Sequence, residues 1–174
     1  VGVFTSELYN ESSESKYMDL LLRAELAKAR IFGGNETYFG ITPSFVQYPG
    51  GSMTGRFNNT TIIMMGCDGL KYNAMAEAFK SRGAKVYISW NGLVLMSHTD
   101  QSTIHLLRNL LQEKLSVGTS VARISKDPVY QSVLDYYPDD AGGYVIPHVV
   151  GQFSLDSLSQ MSFCQFSEPK IRLR

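Results

Sequence analysis

The chain has few cysteines and histidines, and it has no excess of either charge. Its 174 residues include 2 Cys and 3 His, and 16 Lys and Arg balance 16 Asp and Glu. Two cysteines are too few for a disulfide framework, and neither Cys67 nor Cys164 has the spacing of a metal ligand. The balanced charge points neither to nucleic acid nor to an anionic membrane surface. We therefore expect no metal site and no nucleic-acid partner.

Long apolar runs and repeats are also missing. No run approaches the roughly 20 residues of a membrane-spanning helix, so we expect no membrane span. No glycine-rich phosphate-binding loop follows any predicted strand, which disfavours a flavodoxin-like binder of small molecules. Length and composition instead predict one compact domain over residues 1–174.

The most informative stretch is a β-branched and apolar run, residues 60–65, that ends abruptly at Gly66 and Cys67. The run is too short for a buried helix and has no polar alternation, which predicts a central parallel strand covered on both faces. Residues 71–82 then predict a helix, and residues 84–90 predict a second strand.

Strand, helix and strand in this order predict a βαβ unit, in which both strands end at the same edge of the sheet. Met75, Ala76 and Phe79 share one face of the helix, and Gly83 follows it as a C-terminal cap. Ligands of such sheets bind outside the carboxyl ends of the strands. Cys67 would emerge there.

The remaining segments predict further elements on either side of this unit. Before the unit, the sequence predicts a strand at residues 1–5, a helix over residues 15–31 with an apolar stripe of Met18, Leu21, Leu22, Leu26 and Ala29, and an edge strand or extended loop at 38–48. After the unit, it predicts a helix capped by Thr99 or Asp100, with a core stripe of Ile104, Leu107, Leu111 and Leu115. An amphipathic stretch at 116–124, a loop at 129–144 and an added C-terminal β element at 145–174 follow.

The segment around Cys67 resembles a known family. A strand ending in Cys67, the dipeptide Asp68-Gly69, the helix residues 75–79 and the segment 82–90 are similar to the catalytic half of CHAT-type peptidases. These belong to the clan of caspases, clostripain and gingipains. The resemblance covers about residues 58–124, and Gly66 stands where these proteins usually have alanine. It implies a caspase-like three-layer α/β sandwich, with a mostly parallel central sheet flanked by helices.

The resemblance also implies a cysteine endopeptidase that needs no cofactor and acts on a peptide or protein substrate. Cys67 matches the nucleophile that attacks the scissile carbonyl, and its backbone N–H matches a donor to the oxyanion. In the family, a histidine upstream of the cysteine assists the attack and protonates the leaving amine. His98, His105 and His148 all lie downstream of Cys67, so none of them matches this base.

The missing histidine leads to an expectation about the origin of the chain, which opens at Val1 directly into a strand-like segment. We expect the histidine-bearing strand to end just before Val1 and to sit on a separate, non-covalently held N-terminal fragment. Autoproteolytic maturation of a zymogen would produce this arrangement. A chain trimmed for other reasons is the alternative, and the sequence does not separate the two.

Four further residues are candidates for substrate binding. Asp68 and Asp100 are acids that would favour a basic P1 residue by charge complementarity, although both could instead cap helices. Trp90 and Asn91 end the second strand, whose counterpart in the family borders the cleft, although Trp90 could instead lie in the core.

Other residues have simpler interpretations. His98 and His105 are interpreted as surface or capping residues, and His148 as a core histidine. A cysteine that closes an apolar strand is often an inert core residue. The rival hypothesis is therefore an inactive caspase-fold protein that uses the same cleft to bind peptides or partners.

Asn-x-Ser/Thr triplets favour a cell-surface or secreted location, and they begin at Asn10, Asn35, Asn58 and Asn59.

Overall fold

The structure, a computed structural model, describes residues 2–30 and 34–146. The elements in chain order are β1 (Val3–Leu8), α1 (Glu11–Lys16), α2 (Met18–Leu22), β2 (Leu26–Arg30), β3 (Thr37–Ile41), α3 (Pro43–Val46), β4 (Thr61–Met64), α4 (Ala74–Ser81), β5 (Val86–Trp90), α5 (Met96–Leu107), a π-helical turn (Arg108–Gln112), α6 (Val117–Ala122), β6 (Leu134–Tyr137) and a 3-10 turn (Asp139–Gly143).

The strands form two three-stranded sheets. The first sheet has the order β1-β3-β2, and both of its pairs are antiparallel. In the second sheet, β4-β5-β6, β4 runs parallel to β5 and β6 runs antiparallel to it. The predicted α/β class is confirmed. A mostly parallel central sheet is not found, since only one of the four pairs among the described strands is parallel.

The predicted βαβ unit is present as β4, α4 and β5. Helix α4 buries Met75, Ala76 and Phe79, and Gly83 follows with a φ of +97°, the left-handed conformation in which glycine ends helices. Among the described strands, β4 is an edge strand and is half-buried, whereas all five residues of β5 are buried. The prediction of a central, doubly covered strand is therefore wrong for β4 and fits β5.

The second sheet has a core on each face, because alternate residues of β5 point to opposite sides. Val86, Ile88 and Trp90 pack against α5 and α6 on one face. On the other face, Tyr87 packs with α4 and with Val46 of α3. Helices thus cover both faces of the sheet that leads to Cys67.

Helix α5 differs from its prediction at its start. It begins at Met96, with Leu95 at the N-cap position, so Thr99 and Asp100 lie inside the helix and cap nothing. Residue type predicts Thr99 or Asp100 as the N-cap, but the chain already enters the helix about one turn earlier, at Met96.

The buried face of α5 also differs. Leu106 and Leu110 are 0% and 1% exposed, whereas Ile104 is 37% exposed and Leu107 is half-buried. Both sets of apolar residues have helical spacing, and the orientation of the helix on the sheet selects between them.

The predicted helix over residues 15–31 is found only as far as Leu22, and its continuation to Arg30 is wrong. Helices α1 and α2 end before Ala24, which has a φ of +54°, and β2 then pairs with β3. Within α2 the apolar stripe is exposed at Met18 (40%) and Leu22 (77%), whereas Leu26 of the same stripe is buried in β2. Pairing with β3 satisfies the backbone of β2, so tertiary context overrides helix propensity here.

Two other predictions are wrong for the same reason. In residues 38–48, β3 is the middle strand of the first sheet instead of an edge strand, and a short helix begins at Pro43. In residues 129–144, predicted as loop, β6 pairs with β5. The predicted strand at residues 1–5 and helix at 116–124 are confirmed as β1 and α6. Most of the predicted C-terminal β element, residues 147–174, lies outside the described residues.

Candidate functional site

Cys67 lies three residues beyond the end of β4, on the loop that leads to α4. Its side chain is exposed. Asp68 has a φ of +58°, in the left-handed region that aspartate tolerates better than most other residues. The strand ends at Met64, so Cys67 lies in the turn that follows it, and the cysteine stands at the carboxyl edge of the sheet, as predicted.

Backbone hydrogen bonds hold this loop against the neighbouring strand end. The Asp68 N–H donates to the Gly92 carbonyl over 2.9 Å, and the Leu70 N–H donates to the Trp90 carbonyl over 2.9 Å. Both acceptors lie at the end of β5 or just beyond it. The position of Cys67 is thus tied to β5 as well as to β4.

A close approach between Gly69 and β5 supports the same loop. A Cβ atom at Gly69 would overlap the hydroxyl of Ser89, a buried residue of β5. The Ser89 hydroxyl in turn donates to the carbonyl of Met64 at the end of β4. Only glycine fits at position 69 without displacing this contact.

A cleft of about 540 Å³ opens beside Cys67. Its lining includes Asp68 from the same loop, Met75 of α4, Tyr87 of β5 and Phe4 of β1. This volume is in the usual range for small-ligand sites, about 300 to 1,000 Å³. The cleft is mainly apolar, with the Asp68 carboxylate at the loop.

The Cys67 thiol contacts the backbone of Val94. The Val94 N–H donates to Sγ over 3.4 Å, and the thiol can donate to the Val94 carbonyl over 3.6 Å. The N–H of Cys67 has no hydrogen-bond acceptor within the described part of the chain. A backbone N–H without a partner, beside a nucleophile, is the kind of donor that stabilises an oxyanion.

Residues 92–95, here called the bridge segment, connect β5 to α5 and lie between two loops. On one side, Gly92 and Val94 bond to the Cys67 loop, as described above. On the other side, the Ser132 hydroxyl donates to the carbonyl of Leu93. The Leu95 N–H donates to a carboxylate oxygen of Asp127 over 2.8 Å.

Asp127 is a fully buried carboxylate with three backbone donors. Besides the bond from Leu95, its other oxygen accepts the N–H groups of Val129 and Tyr130 over 2.9 and 2.7 Å. Burial by itself raises the pKa of Asp127. The three hydrogen bonds and the nearby His98 together lower the pKa by more than burial raises it, so the pKa lies below its ordinary value. Asp127 is therefore ionised at neutral pH.

Of the predicted substrate residues, the structure brings Asp68 to the cleft beside Cys67. Its carboxylate lies 3.6 Å from the ammonium of Lys71, and both side chains are partly exposed. Such an exposed ion pair contributes little stability and leaves the carboxylate accessible to another cation.

The other three predicted substrate residues lie elsewhere. Trp90 is 0% exposed and donates to the Thr99 hydroxyl over 3.0 Å, so its prediction as a cleft residue is wrong and it is a core residue. Asn91 is exposed, but its side chain accepts the Val133 N–H over 3.0 Å and does not line the cleft. Asp100 is exposed on α5 and does not line the cleft.

None of the histidines in the described ranges lines the cleft. His98 is half-buried, with its ring 5.4 Å from that of Trp90 and its Nε2 atom 3.1 Å from the carbonyl of Ser125. The sequence predicted a surface or capping residue. His98 is partly exposed, and the N-cap of α5 is Leu95, so the capping interpretation is wrong. His105 is exposed on α5, as expected, and His148 lies outside the described residues.

Within residues 2–30 and 34–146, no group of three or more His, Cys, Asp or Glu side chains is arranged to hold a metal ion. No helix in these ranges has both the length and the apolar character needed to cross a membrane.

The site also includes three residues that no sequence pattern indicated: Val94, Asp127 and Ser132. An Asp-Pro dipeptide followed by a turn is a local signal for the bonds from Asp127 to its own loop. The contact of Asp127 with Leu95, 32 residues away, has no counterpart in a sequence pattern.

Comparison of the chain with protein-family models, with curated proteins and with solved structures found no match. The fold and the site by themselves define a mixed α/β protein with an exposed cysteine at the carboxyl end of a parallel strand, next to a cleft.

Proposed function

We propose that this chain is the cysteine-bearing part of an endopeptidase of the caspase-like clan, with Cys67 as the nucleophile. The observation that carries the proposal is the position of the exposed Cys67 thiol, beyond the carboxyl end of β4 and at a cleft of about 540 Å³. Ligands of α/β proteins with parallel strands bind at this edge. The resemblance of residues 58–124 to CHAT-type peptidases, including their caspase-like sandwich, belongs to the same proposal.

In the proposed reaction, a histidine takes the proton of the Cys67 thiol, and the sulfur attacks the carbonyl carbon of the scissile bond. The negative charge on the carbonyl oxygen is stabilised by the Cys67 N–H, which has no other acceptor within the described ranges. The imidazolium then gives its proton to the leaving amine, and a thioester remains on Cys67. Water hydrolyses the thioester, which releases the carboxyl product and restores the thiol.

The histidine of this mechanism would come from outside the chain, on a segment that associates with it non-covalently. This part of the proposal is supported by the cleft, where no histidine is found among the described residues. Cleavage of the protein by its own Cys67 would produce such a segment.

We further propose a preference for a basic P1 residue. Asp68 supports this, because it lines the cleft next to the nucleophile in the chain and its carboxylate is only loosely paired with Lys71. A substrate lysine or arginine would replace Lys71 as the partner of this carboxylate. Asn91 and Asp100 do not line the cleft and have no place in the proposal.

The test uses the full protein that the gene encodes and two acyloxymethyl ketone peptides, one with lysine and one with uncharged norleucine at P1. We expect the lysine probe to label Cys67 faster than the norleucine probe, and the label to disappear in Cys67→Ala. In Asp68→Asn the advantage of lysine should fall by roughly tenfold, which corresponds to one charge-assisted hydrogen bond. Equal labelling by the two probes would contradict the basic preference.

The alternative is an inactive protein of the same fold that binds peptides in this cleft. One observation favours it: the Cys67 thiol can donate to the Val94 carbonyl over 3.6 Å, and this bond holds the sulfur in its protonated, less nucleophilic form. If neither probe labels Cys67 in the full protein, and peptides bind the parent and Cys67→Ala equally well, the binding function replaces the peptidase.

A further inference from the structure

The cysteine of this site is held by a group that comes from a distant part of the chain. The Val94 N–H is the donor to Cys67 Sγ, and the two residues are 27 positions apart. Val94 itself lies in the bridge segment, residues 92–95, which contains no regular secondary structure of its own. The position of this N–H therefore depends on whatever fixes the bridge segment.

Asp127 fixes the bridge segment at the residue next to Val94. One oxygen of its carboxylate closes a local turn with Val129 and Tyr130, and the other accepts the N–H of Leu95. The local turn needs only one oxygen. The second oxygen is buried and bonds to Leu95 across 32 positions. Ionised carboxylates are stronger acceptors than neutral groups, so this bond is the firmer of the two side-chain anchors of the segment.

We propose that Asp127 is a positioning residue for the Cys67 thiol. It holds Leu95, and thereby keeps the Val94 N–H directed at Sγ, where this donor stabilises the thiolate. The inference deepens the proposed function, because it concerns the reactivity of the proposed nucleophile. It rests on the described hydrogen bonds and on nothing in the cleft.

The charged groups around this arrangement are few. His98 lies near Asp127, and the pair of Asp68 and Lys71 lies on the Cys67 loop. None of their side chains bonds to the bridge segment within the described ranges, and Asp68 reaches it only through its backbone N–H, which donates to Gly92. The Val94 N–H is therefore the donor to Sγ that a change at Asp127 would displace.

The variant Asp127→Asn separates the two roles of the carboxylate. Its amide oxygen can still accept from Val129 and Tyr130, but its NH₂ group then faces the Leu95 N–H and cannot accept from it. The local turn is kept and the bond to Leu95 is lost. Asp19→Asn, at an exposed position on α2, removes the same charge far from the site and is the matched control.

The measurement is the rate at which iodoacetamide alkylates Cys67, followed over a range of pH by peptide mapping that separates Cys67 from Cys164. At neutral pH we expect Asp127→Asn to react roughly five-fold more slowly than the parent, the factor for loss of one ordinary hydrogen bond. At high pH, where every thiol is ionised, the two rates should converge. Asp19→Asn should match the parent throughout.

A rate that is equal to the parent's at neutral pH would overturn the proposal. A reduction by the same factor at every pH would also overturn it, because it would reflect access to the sulfur instead of stabilisation of the thiolate. The reaction needs no peptidase activity. A failure of the lysine probe to label the parent therefore counts against the proposed function alone.

A second variant keeps the test valid if Asp127→Asn does not fold. Leu95 has a φ of −67°, which proline can adopt, and Leu95→Pro removes the N–H without changing Asp127. Leu95→Ala loses the same side chain and keeps the N–H. We expect the proline variant to show the loss at neutral pH and the alanine variant to retain the parental rate; equal rates in both would contradict the role of Asp127.

Discussion

At the residue scale, Cys67 combines two properties that a cysteine at the end of an apolar strand does not ordinarily have. Free cysteines are among the most buried residues and behave as small apolar side chains. Cys67 is exposed, and its sulfur accepts a backbone N–H from Val94. Both properties belong to its place in the turn that follows β4, where Asp68 has a φ of +58° and the chain no longer runs as a strand.

Tyr87 provides a pH-dependent test of the cleft wall. It is 3% exposed, and burial raises its pKa from 10.0 to about 12. The unfolded chain releases this proton at a lower pH than the folded chain does. The stability of the folded protein is therefore not reduced by Tyr87 below pH 10, and it falls as the pH rises towards 12 because the buried hydroxyl resists ionisation.

We predict that Tyr87→Phe becomes more stable relative to the parent as the pH rises above 10. The relative gain should approach roughly 2 to 3 kcal/mol at the highest pH, as a shift of two pKa units implies. Urea denaturation of both proteins at a series of pH values measures it. Tyr72→Phe, at a position that is 62% exposed, is the control and should show no such trend.

At the element scale, the clearest difference between sequence and structure is the buried face of α5. The sequence contains two sets of apolar residues with helical spacing, and the sheet is covered by the set that includes Leu106 and Leu110. The helix also starts at Met96, one turn before the predicted cap. Its orientation is decided by contacts with Trp90 and Ile88 of β5.

Alanine substitutions in α5 test this orientation. We predict that Leu106→Ala lowers the free energy of unfolding by about 2 to 5 kcal/mol, because the side chain is fully buried. Ile104→Ala, in the same helix but 37% exposed, should cost less than about 1 kcal/mol. Chemical denaturation measures both. A larger loss of stability for Ile104→Ala than for Leu106→Ala would show that the face predicted from the sequence, which includes Ile104, is the buried one.

At the scale of the whole molecule, Arg82 ties the end of α4 to the connection between the two sheets. The side chain is buried, and its guanidinium donates to the carbonyls of Val46, Gly51 and Gly55. These carbonyls lie at the end of α3 and in the long loop before β4. A planar group with several donors can satisfy carbonyls in different directions, which a lysine cannot do.

Loss of this residue should therefore loosen the connection between the sheets. We predict that Arg82→Lys and Arg82→Ala each destabilise the protein by about 3 kcal/mol, since the buried carbonyl of Val46 and the less buried carbonyls of Gly51 and Gly55 lose a charged donor. Both should also speed proteolysis within residues 47–57. Arg108→Ala, at an exposed position, is the control in thermal denaturation and limited proteolysis. Unchanged proteolysis in Arg82→Ala would show that other contacts hold this loop.

The sequence by itself determined the βαβ unit, the position of Cys67 beyond the first strand of that unit, and Asp68 beside it. These features rest on local signals: a short apolar run, a helical stripe of Met75, Ala76 and Phe79, and Gly83 after the helix. Each signal lies within a few residues of the element that it specifies. Neighbouring residues therefore carry the information, and no distant contact is needed.

Only the tertiary structure decided what surrounds the cysteine. Residues 26–30 became a strand by pairing with β3 and residues 134–137 by pairing with the distant β5. Packing also buried Trp90 and brought Val94 and Asp127 into one network with Cys67. The bonds of this network join residues 27 and 32 positions apart. Such bonds depend on how complete elements pack, and because they connect single backbone groups they leave no periodic pattern in the sequence.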